Sequence, residues 1–129
     1  ASGETIGSDF TLTVTGARPQ GWLAATGLAS ESGFLVTDAM LRTSDPLILA
    51  TGDCASIAGA KRAKAGVFAV RAAPVLFANL RAILSGGPLR PFRPQNDYLK
   101  LIALGGKAAV ADKWGLAASG KRLWTLKDR

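Results

Sequence analysis

The stretch Thr43–Asp53, Thr-Ser-Asp-Pro-Leu-Ile-Leu-Ala-Thr-Gly-Asp, constrains the fold more than any other part of the sequence. Leu47–Ala50 is a short apolar run bounded by turn residues, the pattern of a strand buried on both faces of a sheet. Such a strand would deliver Gly52 and Asp53 to its C-terminal end, where open α/β sheets bind their ligands. A glycine there lets the backbone approach a ligand closely, and a carboxylate can accept hydrogen bonds from the hydroxyls of a sugar. Taken alone, Gly52-Asp53 reads as a turn with an Asx cap, so its meaning depends on its surroundings.

Downstream, Val67, Val70, Ala73, Leu76, Phe77, Leu80 and Leu84 recur at three- and four-residue spacings and predict an amphipathic helix over residues 65–84. Pro74 should kink it, and Ser85-Gly86-Gly87-Pro88 should stop it. The N–H groups of its first turn, at Ala65, Gly66 and Val67, are free to face an anion. Upstream, Phe10–Val14 alternates apolar residues with threonine and predicts a half-buried strand; Trp22–Thr26 predicts a helical turn closed by Gly27. Phe34–Val36 and Met40–Thr43 predict two short strands of a hairpin, followed by a turn at Ser44-Asp45-Pro46. Beyond the helix, Arg90–Pro94 must be extended, Tyr98–Leu104 and Ala108–Ala111 predict a strand pair, and Arg122–Leu126 a last strand.

The chain has 129 residues, 48% of them apolar, enough for a packed core. It has no uninterrupted apolar run of membrane-spanning length and no opening export signal, so a cytoplasmic protein without a membrane span is expected. The lone Cys54 cannot close an internal disulfide and reads as a small apolar filler; with no histidine either, zinc and Cys-His chemistry are excluded and no metal is expected. The 16 Lys+Arg against 9 Asp+Glu leave a net charge of +7, gathered at Lys61, Arg62, Lys64 and Arg71 and again toward the C-terminus. No base-reading motif accompanies that charge, which argues against nucleic acid. Lys61–Lys64 reads as a solvated loop that could lend its charge to a phosphate-bearing ligand, and Trp22, Trp114 and Trp124 read as core or interface aromatics.

An apolar strand ending in Gly52-Asp53 and followed by such a helix resembles the second FAD motif of the pyridine nucleotide-disulfide oxidoreductase superfamily. Val14-Thr15-Gly16-Ala17-Arg18-Pro19 resembles the same superfamily's Thr-Gly-x-x-Pro loop, which links its NAD(P)H domain back to its FAD domain. Lys64–Arg81 (KAGVFAVRAAPVLFANLR) and Leu89–Gln95 (LRPFRPQ) are similar to the NADH dehydrogenase-like flavoprotein module found fused to selenide, water dikinase. The resemblance implies FAD as cofactor and NAD(P)H as co-substrate. It places Gly52 and Asp53 at the ribityl chain, Ala65, Gly66 and Val67 at the isoalloxazine ring, and Gly16 and Pro19 at the hinge beside the nicotinamide.

No Gly-x-Gly-x-x-Gly occurs in the chain, so the family's two phosphate loops are expected upstream of Ala1. The resemblance therefore implies a C-terminal part of an FAD-dependent NAD(P)H oxidoreductase, inactive by itself and with no catalytic residue of its own. The fold class expected is an α+β to α/β fragment: the end of a Rossmann-like domain followed by a β-rich piece. Residues 1–45 would end the NAD(P)H domain and return to the FAD domain, 46–88 would complete the FAD domain, and 89–129 would begin an interface domain. The expected partners are the upstream parts of the same protein and a second copy, because unpaired strand edges and an uncovered helix face are templates for association. The rival reading is a stand-alone basic α+β module that binds protein or nucleic acid.

Overall fold

A computed structural model describes residues 3, 5, 7–12, 16–60 and 62–127. The architecture is α+β, with two three-stranded sheets and a long helix between them in sequence. The first sheet has the order β1-β2-β3, formed by Ser30–Glu31, Phe34–Thr37 and Ala55–Ile57. Strands β1 and β2 are antiparallel around Ser32-Gly33, whose φ values of 51° and 81° supply the left-handed turn that matches strand twist. Strands β2 and β3 are parallel, with Leu35 opposite Ala55. Leu35 and Thr37 point inward from β2, and Leu23, from a 3-10 helix at Gly21–Thr26, packs with Leu35, Ala50 and Ala55. Gly27 closes that turn at φ 76°, as the sequence predicts.

The hairpin differs from its expectation. The partner of β2 is Ser30–Glu31, and Met40–Thr43 forms no strand. The reason lies in Asp38, whose Oδ1 accepts the backbone N–H of Met40 at 2.8 Å and of Arg42 at 2.9 Å, wrapping the chain around the carboxylate. Within that wrap Leu41 sits at φ 69° and is fully buried against Ala72 and Phe92. The strand expected at Leu47–Ala50 is likewise reduced to a single antiparallel bridge between Arg42 and Leu49. Leu47 and Ile48 are 71% and 43% exposed, and only Ala50 reaches the core. A strand buried on both faces needs sheet neighbours and covering helices, which the described residues do not supply to this run. Phe10–Leu12 carry no strand either, and Thr13–Thr15 lie outside the described residues.

Helix α1 spans Gly66–Ser85, within a residue of the predicted bounds. It continues through Pro74, which is exposed and follows the exposed Val70 by one turn, so the carbonyl that loses its amide partner faces water. Gly86, at φ 69°, ends it, with the Gly87 N–H on the Ala82 carbonyl at 2.8 Å. Asn79, fully buried, holds the helix in place: Nδ2 donates to the carbonyls of Met40 (2.8 Å) and Arg90 (2.9 Å), and Oδ1 accepts the Arg90 N–H (2.7 Å). Phe92 then enters the core beside Leu41 and Ala72.

The second sheet is an antiparallel meander of β4 (Lys100–Gly105), β5 (Ala108–Lys113) and β6 (Leu116–Gly120). The β4–β5 pair was predicted; the last strand at Arg122–Leu126 was not realised. Leu116–Gly120 takes that place in the sheet, and Lys121–Lys127 is a short helix, α2, packed mainly on β5. Gly120, at φ 155°, turns the chain out of the sheet, and helical spacing brings Lys127 Nζ over the Trp124 ring at 5.5 Å.

Candidate functional site

A cavity of about 310 Å³ opens where four pieces meet: the β1–β2 hairpin, the turn Gly52–Cys54, the start of α1 and the segment that returns after it. Gly52 holds φ 74°, a conformation that favours glycine, and a Cβ added there would stand 3.4 Å from Ala69 of the helix. Its identity is thus set by the turn more than by crowding. Asp53 lines the cavity from an exposed position at its mouth. Cys54 is half-buried and donates through Sγ to the Thr51 carbonyl at 3.2 Å, a bond that closes the turn.

Helix α1 begins without a capping side chain. Ala65, extended at φ −146° and ψ 140°, offers no side-chain oxygen; its carbonyl accepts the Phe68 N–H at 3.0 Å. The amides of Gly66 and Val67 therefore lack the side-chain acceptor that most helix starts provide, which leaves partial positive charge at this end.

Lys64 sits just before that start. Its Nζ donates to the Ala55 carbonyl and stands 4.4 Å over the Phe34 ring. Burial pushes its pKa below the ordinary 10.5, while the charges of Asp53 and Cys54 pull it part of the way back. Phe34, Phe68 and Phe92 give the cavity aromatic walls. Phe92 and Pro94 are held there by contacts from the returning segment: Arg71 Nη1 donates to Gln95 Oε1 at 2.6 Å, Arg62 Nη2 to Asn96 Oδ1 at 2.9 Å, and Tyr98 meets Phe68 edge-on at 5.4 Å.

The sequence pattern of the pyridine nucleotide-disulphide oxidoreductase family matches residues 1–73, from the N-terminal segment through the Gly52-Asp53 turn and into α1. The chain belongs to the pyridine nucleotide-disulphide oxidoreductases. No curated protein matches it. Its functional class is accordingly that of an oxidoreductase, and the cavity lies largely within the part of this oxidoreductase that the family pattern covers.

Of the residues singled out from the sequence, Gly52, Asp53 and Ala65 line the cavity together. Gly66 and Val67 follow in the first turn of α1 and are not part of the lining. Gly16, exposed at φ 77°, and Pro19 also lie off it. Pro19 instead packs on Gly33, where an added Cβ would come within 2.7 Å of its ring, so it supports the hairpin that forms one wall. Lys64, Phe34, Phe68 and Phe92 were not picked out as site residues from the sequence. Lys64 belongs to a basic run that the sequence reads as solvated, yet it is half-buried; Lys61 of that run lies outside the described residues. Trp22 and Trp114, expected in the core or at an interface, are 66% and 74% exposed in this chain.

Proposed function

We propose that this oxidoreductase is the C-terminal part of an FAD-dependent, NADH dehydrogenase-like enzyme, akin to the flavoprotein module fused to selenide, water dikinase. In this reading residues 1–45 and 46–88 complete the NAD(P)H and FAD domains, residues 89–129 begin an interface domain, and the phosphate loops lie in a preceding segment. The protein is cytoplasmic and associates with a second copy. Helix α1 is long and apolar enough to cross a membrane by length and composition. Its buried Asn79, bound to two other segments of the chain, supports a place in the folded domain instead.

One observation carries the proposal: Gly52, Asp53 and the uncapped start of α1 converge on a single aromatic-walled cavity. The donor set suits FAD. Asp53 offers an exposed carboxylate to ribityl hydroxyls, and the helix start with Lys64 offers positive charge to the electron-rich edge of the ring. When bound, FAD supplies hydride acceptance from NAD(P)H and passes electrons onward. The chain's own residues position and shield: Gly52 allows close backbone approach, Phe34 and Phe92 exclude water, and the hairpin steadied by Pro19 sets one wall.

The test is flavin retention by the protein carrying its phosphate loops. The native form should purify with FAD. Asp53→Ala should hold it about tenfold more weakly, the loss of a hydrogen bond to a charged acceptor. A native protein that stays colourless and takes up no added FAD overturns the proposal in favour of a basic interaction module.

A further inference from the structure

We infer that Lys64 sets the charge preference of the cavity, its ammonium favouring a planar ring system that gains negative charge over the neutral form of the same ring. The inference rests on the proposed flavin site and goes beyond it, since it names the residue that would tune the bound group.

Lysine ammonium groups are strongly hydrated, and sinking one costs free energy unless a partner compensates. Among the described residues Lys64 has no carboxylate within ion-pairing distance. Its compensation is the carbonyl of Ala55 and the face of Phe34, which occupy part of its donor capacity. An ammonium carries three N–H groups, so donor capacity remains on a side chain that lines the cavity, with Asp53 near enough to act on its charge but not to pair with it.

A lysine serving only to tie β3 to the loop before α1 would need no cavity beside it. Here the same cavity has three phenylalanines, which match a flat ring, and reaches Ala65, the residue before the uncapped first turn of α1, whose partial charge has the same sign as the ammonium. Two positive sources meeting at one aromatic-walled space raise each other's energy, and the exposed carboxylates on its lining offset this only in part. Negative charge arriving on a ring there relieves both. The carboxylates on the lining, Glu31 and Asp53, are exposed and can be screened by water, whereas Lys64 is half-buried and is screened less. Arg62 also lines the space, but it is exposed and its guanidinium is engaged by Asn96.

The experiment is the midpoint potential of bound flavin in the protein carrying its phosphate loops, comparing the native form with Lys64→Met, Lys64→Gln and Lys64→Arg. Flavin content and thermal unfolding are measured on each sample. Removing the charge should weaken binding of the reduced form relative to the oxidised form about tenfold, a fall of about 30 mV for a two-electron couple. Lys64→Arg, which keeps the charge, should stay within about twofold of native, or about 9 mV. Neutral variants that bind flavin and unfold like the native protein with an unchanged midpoint overturn the inference while leaving the flavin site standing. A loss of folding in Lys64→Met is decided by Lys64→Gln; if both neutral variants fail to fold, the ammonium is a structural tie and the inference is overturned. A native protein that binds no flavin overturns the proposed function and this inference with it.

Discussion

The two sheets have the same number of strands and are held by different means. In residues 21–92 strands β2 and β3 are parallel and separated by a long wrapped loop, so their pairing depends on contacts between distant residues. Among the described residues seven of the eight buried apolar side chains lie there: Leu23, Leu35, Leu41, Ala50, Ala55, Ala72 and Phe92. In residues 98–127 each strand pairs with the next through a tight turn, and Ala109 is the one apolar side chain buried to that degree among the described residues. Lys107 and Trp114, at φ 58° and 55°, shape those turns beside glycines. A meander can close on local hydrogen bonds with little burial, whereas a parallel pair must be repaid by burial for ordering the chain between its strands. The cavity accordingly is built mainly from the first region, where its walls are fixed from several directions.

This contrast can be broken by mutation. The largest effect should come from Leu41→Ala, which empties a fully buried position between Ala72 and Phe92. We expect a loss of about 3 kcal/mol in urea unfolding, from lost burial plus a residual cavity. A loss below about 1 kcal/mol would mean that the first region is no better packed than the second.

Acid should act on both regions through one carboxylate each. Burial pulls the pKa of Asp38 up, but the amide of Arg42, its guanidinium and the amide of Met40 outweigh burial, and the value ends below the ordinary 3.8. Asp97 is also held below 3.8, first by the Trp114 N–H and then by that of Tyr98. A lowered folded-state pKa means that the unfolded chain binds protons first, so this stability is complete above about pH 5 and is lost as pH falls through 3.8 and below. Asp38→Asn should flatten the acid limb of a stability-against-pH curve. Asp97→Asn should do so less, because its carboxylate accepts two backbone N–H groups with Lys100 Nζ 3.9 Å away, where that of Asp38 accepts two backbone N–H groups and the Arg42 guanidinium. An equal flattening by both variants would erase the distinction between the regions.

The smallest effect should come from Ile102→Thr. Ile102 lies on the face of the meander shared by Val110 and the Lys100–Asp112 pair, and it is 55% exposed. Unfolding should shift by less than about 0.5 kcal/mol if the face is open. If light scattering shows a native oligomer that this substitution dissociates, the second region owes its stability to a partner copy, and the comparison sharpens into one between an internal and a shared core.

Periodicity made the extent of α1 legible almost to the residue, but not its buried face: Ala72 and Asn79 are buried, while Val70, Phe77, Leu80 and Leu84 of the apolar stripe are exposed. Tight turns at Gly27 and Gly86 were legible for a similar local reason. Pairing partners were not. The run Phe34–Thr37 reads as a strand, but nothing in it says that Ser30–Glu31 lies on one edge and Ala55–Ile57 on the other. Arg122–Leu126 fits either period, and only the occupation of the sheet by Leu116–Gly120 leaves helix as the outcome. At the site, the glycine and the carboxylate could be named from their order in the chain. The burial of Lys64 could not be read, because it comes from Phe34 and Ala55, which lie elsewhere in the sequence.

Asn79 reaches back 39 residues to Met40 and forward 11 to Arg90. A chain emerging from its N-terminus can wind α1 long before it can seat it, since the docked helix would carry an amide still lacking two of its three bonds until Arg90 arrives. Seating also waits for Phe92, the third member of the cluster with Leu41 and Ala72. A cut made between the helix and the meander, at the glycines and proline of 86–88, would thus leave the helix wound and its berth unfinished, whereas a cut after Tyr98 would carry away the whole clasp intact.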